Sequence, residues 1–274
     1  MSSQWRASIL SLICLAIATA ATGSSVAVRY KEGLTHGFVV LSTLDGTPIA
    51  EGDLSEVAHG DRVTSRLVYH FKDGSRQEET AVFSQSGEFR LIRYHLDQKG
   101  PTFKQPTEVS IEVATGQVRV KYTDDKGQEK EENQHLDLPK DLANGLVVTL
   151  LKNLGPNPKP LEVSMVVATP KPRLVKLEIS NPGKEPFTLA GSKREAMQFV
   201  IKVQLGGLAG TLAPLLGKEP PDAHVWIIGG EAPTFVKSET LSFPGGPIWR
   251  TELVSPVWPQ KAEPDSKNGN IARQ

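Results

Sequence analysis

Cysteine occurs once in the 274 residues, as Cys14. It lies inside a run that reads as a removable leader, so the mature chain is expected to have no disulfide, no thiol nucleophile and no thiolate ligand for zinc. Its fold then rests on an apolar core alone, which a chain of this length can supply. An excess of one charge is missing too: Lys plus Arg number 31 and Asp plus Glu number 31. No long-range field therefore draws the protein toward nucleic acid or anionic lipid. After the leader no apolar run approaches the roughly twenty residues of a membrane span. Neither a Gly-x-Ser-x-Gly elbow nor a Gly-rich phosphate loop with its Lys-Ser/Thr partner is present.

What is present begins with "MSSQWR" and an uncharged stretch over residues 7–21. One positive charge at Arg6 followed by about fifteen apolar and small residues matches a secretory leader. Ala18-Thr19-Ala20 and Ser25-Val26-Ala27 both offer small residues for cleavage, giving a mature start at Ala21 or Val28. Ile13 before Cys14 is too large for a lipid-attachment motif. The expectation is an exported protein, periplasmic or extracellular, with 1–27 as signal peptide and 28–258 as one domain. Residues 259–274, rich in charge and without periodicity, are expected to be a disordered tail.

Period-2 alternation dominates the domain. In "RVTSRLVYHF" Val63, Leu67, Tyr69 and Phe71 share one face, and in "TEVSIEVATGQVRVKY" Val109, Ile111, Val113, Val118, Val120 and Tyr122 form the dry side of a hairpin. Asp45-Gly46, Asp73-Gly74, Ser86-Gly87, Thr115-Gly116 and Lys126-Gly127 recur at hairpin spacing, where tight turns need positive φ. "AMQFVIKVQ" continues the pattern, with Met197, Phe199, Ile201 and Val203 on one side. One segment breaks it. In "PKDLANGLVVTLLKNL", residues 139–154, Pro139 suits a first helical position and Asp141 the first turn, while Leu142, Leu146 and Leu150 fall at four-residue steps. The fold expected is mostly β: a strongly curved antiparallel sheet, an open or partial barrel, wrapped around this one central helix. A two-sheet sandwich is the alternative.

Three stretches, "YHFKDGSRQEETAVFSQSGEFRLIRYHLDQKGPTF", "DLPKDLANGLVVTLLKNL" and "GTLAPLLGKEPPDAHVWIIGGEAPTFVKSE", together with "GGPIWRTEL", resemble an uncharacterised family of secreted bacterial β-rich proteins over residues 30–254. That family is more distantly similar, in architecture only, to periplasmic half-barrels of the lipoprotein-carrier type. The resemblance implies a half-barrel and brings no activity, ligand or site residue with it.

Chemistry-bearing residues are sparse. His70, His95 and Asp97 could contribute to a zinc site, which wants four ligands, but they also alternate with dry-face neighbours as ordinary wet-face residues. Arg90, Arg93 and Lys99 interleave with Tyr94 and Phe103, a pattern of nucleic-acid platforms that the neutral balance opposes. Ser192 and Lys193 are adjacent, so on a strand they face apart. The pairs Glu78, Glu79 and Glu131, Glu132 read as exposed, with nothing to raise a carboxyl pKa. Trp226, Trp249 and Trp258 gather in the last quarter, as core packing or as an aromatic shelf. "LGGLAGTLAPLLGKEPP", starting at Leu205, is a long apolar connection, either a plug over the open end of the sheet or a lip beside a cavity.

With no credible catalytic set and no cofactor implied, the sequence points to a non-enzymatic half-barrel. It would bind a lipid or other hydrophobic ligand, or an envelope component, in a groove between sheet and helix lined by Leu146, Leu150, Leu208, Leu212, Leu216, Trp226 and Trp249. A structural or protein-interaction module of the envelope is the alternative, and a hydrolase without a recognisable motif a third.

Overall fold

The computed structural model describes residues 24–124, 126–167, 169–189, 192–204 and 220–255. Fourteen strands form one antiparallel sheet: β1 Leu34–Thr43, β2 Pro48–His59, β3 Arg62–Phe71, β4 Arg76–Ser86, β5 Glu88–Lys99, β6 Thr107–Glu112, β7 Gln117–Thr123, β8 Glu129–His135, β9 Leu161–Val167, β10 Arg173–Leu189, β11 Ser192–Gln204, β12 Ala223–Ile228, β13 Thr234–Leu241 and β14 Ile248–Val254. Their order is β8-β7-β6-β5-β4-β3-β2-β1-β14-β13-β12-β11-β10-β9. Two meanders therefore meet where β1 pairs with β14, from Phe38 opposite Val254 to Thr43 opposite Trp249. Among the described residues the sheet is not closed, because β8 and β9 lie at its opposite ends. Among the described residues no helix is long and apolar enough to cross a membrane.

One apolar cluster draws on both meanders. Val63, Phe83, Ile111 and Val118 come from the first, and Val163, Ile179, Phe199 and Ile227 from the second. The sheet thus curls until its two wings share a core, with Leu142, Leu146, Leu150 and Leu151 between them. A second cluster, Val39, Leu41, Ala50, Tyr69, Phe71, Phe103 and Trp249, fills the junction of the wings.

The helix is shorter than its periodicity predicts. Only Val147–Lys152, α1, is helical. Two features stop it from starting at Pro139. Gly145 has φ +69°, outside the right-handed helical region, and a Cβ there would meet the Ala81 Cβ at 2.7 Å. Upstream, the polar groups are engaged elsewhere: Asn144 Nδ2 donates to Val166 O at 2.9 Å while Val166 N donates to Asn144 Oδ1 at 2.9 Å. Ala143 N also donates to Ser164 O, and Ser164 N to Asp141 O. Residues 141–144 therefore act as a short partner strand along the outer edge of β9, satisfying backbone groups that would otherwise be left open.

A second strap comes from the other end of the chain. Ser24 N donates to Glu162 O in β9, and Val28 N and Phe89 N exchange hydrogen bonds with Gly87 O and Val26 O at the start of β5. Arg29 N and Tyr30 N both donate to Asn153 Oδ1, just past α1. Val26 is buried in the first cluster. Residues 24–30 thus span from one wing to the other over the central segment.

Candidate functional site

Of the seven residues expected to share one groove, the four that are described fall in three different clusters. Leu146 and Leu150 are buried side by side with Val26, leaving a gap of about 10 Å³ between them. Trp249 belongs to the second cluster, against Phe71 and Phe103. Trp226 faces away from both, in a third cluster with Ala196 and Val236, its Nε1 donating to Glu185 Oε2 at 2.8 Å and its ring covered by Lys237. Leu208, Leu212, Leu216 and Trp258 lie outside the described residues.

The sheet register reveals a different arrangement. Gly37, Leu54, Leu67, Glu79 and Leu96 stand opposite one another across β1 to β5. All five are only half-buried, although they lie on the face that carries the core. On one side of the row Val39, Gly52 and Tyr69 are buried, and on the other Ala81, Tyr94 and Ile111 are buried. Leu67 packs on the second cluster and Leu96 on the first. The result is a trough crossing the strands between two packed regions.

Tyr69 forms one wall by a close approach. A Cβ on Gly52 would meet the Tyr69 ring at 2.7 Å and the Val39 side chain at 2.8 Å, so only glycine lets the ring lie flat across β2. The hydroxyl then reaches Thr251 Oγ1 at 2.8 Å, on β14. That bond ties the first wing to the second at their seam.

Glu79 is the one charged residue in the trough. Removal from water pushes its carboxyl up from its ordinary value, while a hydrogen bond from the Tyr94 hydroxyl acts against this. Burial and the neighbouring carboxylate push Tyr94 up in turn. This overturns the expectation that Glu79 is exposed. Its neighbour Glu78 behaves as expected of the wet face: Arg66 at 2.5 Å and Arg76 hold its carboxyl below the usual range, against a smaller opposing effect of desolvation. The signal lay in "EETAVF", where Glu79 alternates with Ala81 rather than with Glu78.

A second buried charge group lies at the end of α1. Lys152 Nζ is 2.7 Å from Glu32 Oε1 and 3.6 Å from Glu56 Oε2. Glu32 is also clamped by Gln85, whose Oε1 accepts from Glu32 N and whose Nε2 donates to Glu32 O. Desolvation pushes the Glu56 carboxyl up to about 7, with the Lys152 charge opposing it and the Glu32 charge adding to it. The group fastens the N-terminal strap to β2 and α1.

The remaining candidates are dispersed. His70 pairs with Arg76 on β4 and His95 with Thr80, so the two histidines sit four residues apart along the strand between them. His95 Nδ1 contacts Ser110 Oγ at 3.2 Å. Among the described residues no three His, Cys, Asp or Glu side chains converge as a metal site would require. Arg90 is engaged with Glu88 and Lys140 O, and Lys99 with Asp97.

The sequence matches no protein-family profile and no curated protein. Among solved structures the chain is similar to one described as a β-barrel-like protein of domain of unknown function DUF1849 from Brucella abortus. The TM-score is 0.47 and the identity 9%, over 82% of this chain and 98% of that one.

Proposed function

We propose that the protein is an exported, non-enzymatic binding protein that holds one amphiphilic ligand in the trough. The apolar body lies along Leu54, Leu67 and Leu96, and a hydrogen-bonding head faces Glu79. One observation carries this reading. A row on the core-bearing face stays half-buried from β1 to β5 between two buried clusters, and its single charge is a carboxyl. Sites for small molecules have this composition, an apolar lining with few polar groups that set orientation. Export rests on the expected leader, with its uncharged stretch over residues 7–21.

The test is solvent extraction of the purified protein with mass spectrometry, followed by titration with a fluorescent long-chain alcohol. Leu67→Trp, which fills the trough, is expected to weaken the probe at least about tenfold while melting stays within about 2 °C. Glu79→Gln keeps the shape and separates the role of the charge from that of the lining. An empty extract together with a wild-type protein that ignores the probe sinks the proposal.

One observation favours an interaction module instead. Among the described residues β8 is hydrogen-bonded on one side only, to β7. An envelope partner adding a strand there would be captured by crosslinking, with an empty extract. The charges of Glu129, Lys130, Glu131 and Glu132 work against such pairing.

A further inference from the structure

The two ends of the sheet leave a cleft between them, remote from the trough. It has a volume of about 250 Å³ and is lined by Gln134 and Leu136 on one wall and Lys171, Pro172, Arg173 and Leu174 on the other. The basic wall is built rather than loose. Thr169, itself buried, donates from its backbone N to Val167 O at 3.0 Å and from Oγ1 to Lys171 O at 2.6 Å, which pins the bend that presents Lys171. Arg173 then opens β10, paired with Val167 of β9. Lys171, in that bend, and Arg173, at the start of β10, both line the cleft.

Neither cation has a carboxylate within ion-pair distance among the described residues, whereas Lys176, farther along β10 on its opposite face, is held by Asp141 and Glu162. Glu132, two residues from Gln134 along β8, does not line the cleft. Apart from Gln134 the remaining lining is apolar, and Leu136 and Leu174 rest on the first cluster. Two unpaired cations, one of them a guanidinium with paired donors, above an apolar floor are suited to an anionic head with a short hydrocarbon body. Drug-sized ligands occupy about 300–1,000 Å³, so this cleft takes a head and a few carbons.

We propose that the cleft between the sheet ends is a binding site for a small carboxylate or phosphate amphiphile, gripped by Lys171 and Arg173 and seated on Leu136 and Leu174. It is independent of the trough and stands if that reading fails.

The experiment is a chemical-shift titration of the whole protein with hexyl phosphate, inorganic phosphate, hexanoate and hexylamine. Saturable binding of hexyl phosphate is expected, at least about tenfold tighter than inorganic phosphate, with hexylamine inert. The double variant Lys171→Ala, Arg173→Ala is expected to lose it while melting and trough-probe binding stay as in the wild type. Arg173→Lys, which keeps the charge and loses the fork, is expected to be several-fold weaker. No saturation by about 10 mM overturns the site, as does equal binding by the double variant or by hexylamine. Equal affinity for inorganic and hexyl phosphate overturns the amphiphile and leaves a site for free anions.

Discussion

Glu56 takes up a proton at a pH where an exposed glutamate is ionised, because it shares a dry site with Glu32 and only one ammonium, Lys152, faces the pair. A carboxyl whose folded pKa is raised binds protons more tightly in the native state than in the unfolded one. Its stabilising contribution is complete below the unfolded value of 4.5 and is lost as pH rises through about 7. Unfolding free energies from urea titrations between those limits should fall on the order of 3 kcal/mol toward the alkaline end. Glu56→Gln should flatten that slope and leave the protein more stable than wild type above neutrality; a slope unchanged by the substitution would assign the pH dependence elsewhere. Glu79 sets the limit of legibility at this scale. Its side follows from alternation with Ala81, but its desolvation depends on Leu67 and Leu96, which arrive from two other strands. Adjacent glutamates look alike in sequence, and the pleat makes one ionic and the other walled in.

Strands were readable because each carries its own signal: alternation for the faces, and Gly46, Gly74, Gly87, Gly116 and Gly127 with positive φ at the turns. The central segment was misread because a helical period is a statement about apolar spacing only. Asp141 and Asn144 bind β9 instead, and their partners Ser164 and Val166 lie more than twenty residues away. The N-terminal strap was missed for a related reason, since residues 24–30 adjoin the stretch read as a leader and carry no alternation of note. If a leader is removed, its contacts bear on the choice between the two expected cleavage points. Cutting after Ala27 would remove Val26 from the core and the Ser24 bond to β9, whereas cutting after Ala20 leaves both. If the protein is exported as proposed, N-terminal sequencing should therefore return Ala21. A chain made to start at Val28 should lose about 2–4 kcal/mol, the scale of a large buried side chain together with its backbone bonds, which a melt would register.

At the scale of the whole molecule, the seam at β1 and β14 fixes how the protein answers a pull. The strands are antiparallel, and the outward ends of both, Phe38 and Val254, face each other at one end of the pairing. Tension applied through the two termini therefore does not shear the ladder with all its bonds loaded at once. It opens them in turn, from Phe38 opposite Val254 inward to Thr43 opposite Trp249, like a seam drawn from one end. The strap at residues 24–30 yields first, then this zipper, and the chain should part into an N-terminal wing of eight strands and a C-terminal wing of six before either wing extends. Single-molecule stretching should record a low first force peak followed by two separate unfolding lengths. Moving the handles to Thr43 and Val254 should raise that first peak, because the same six pairs would then resist together; an equal peak from both attachments would mean that the wings are held by something other than their shared edge.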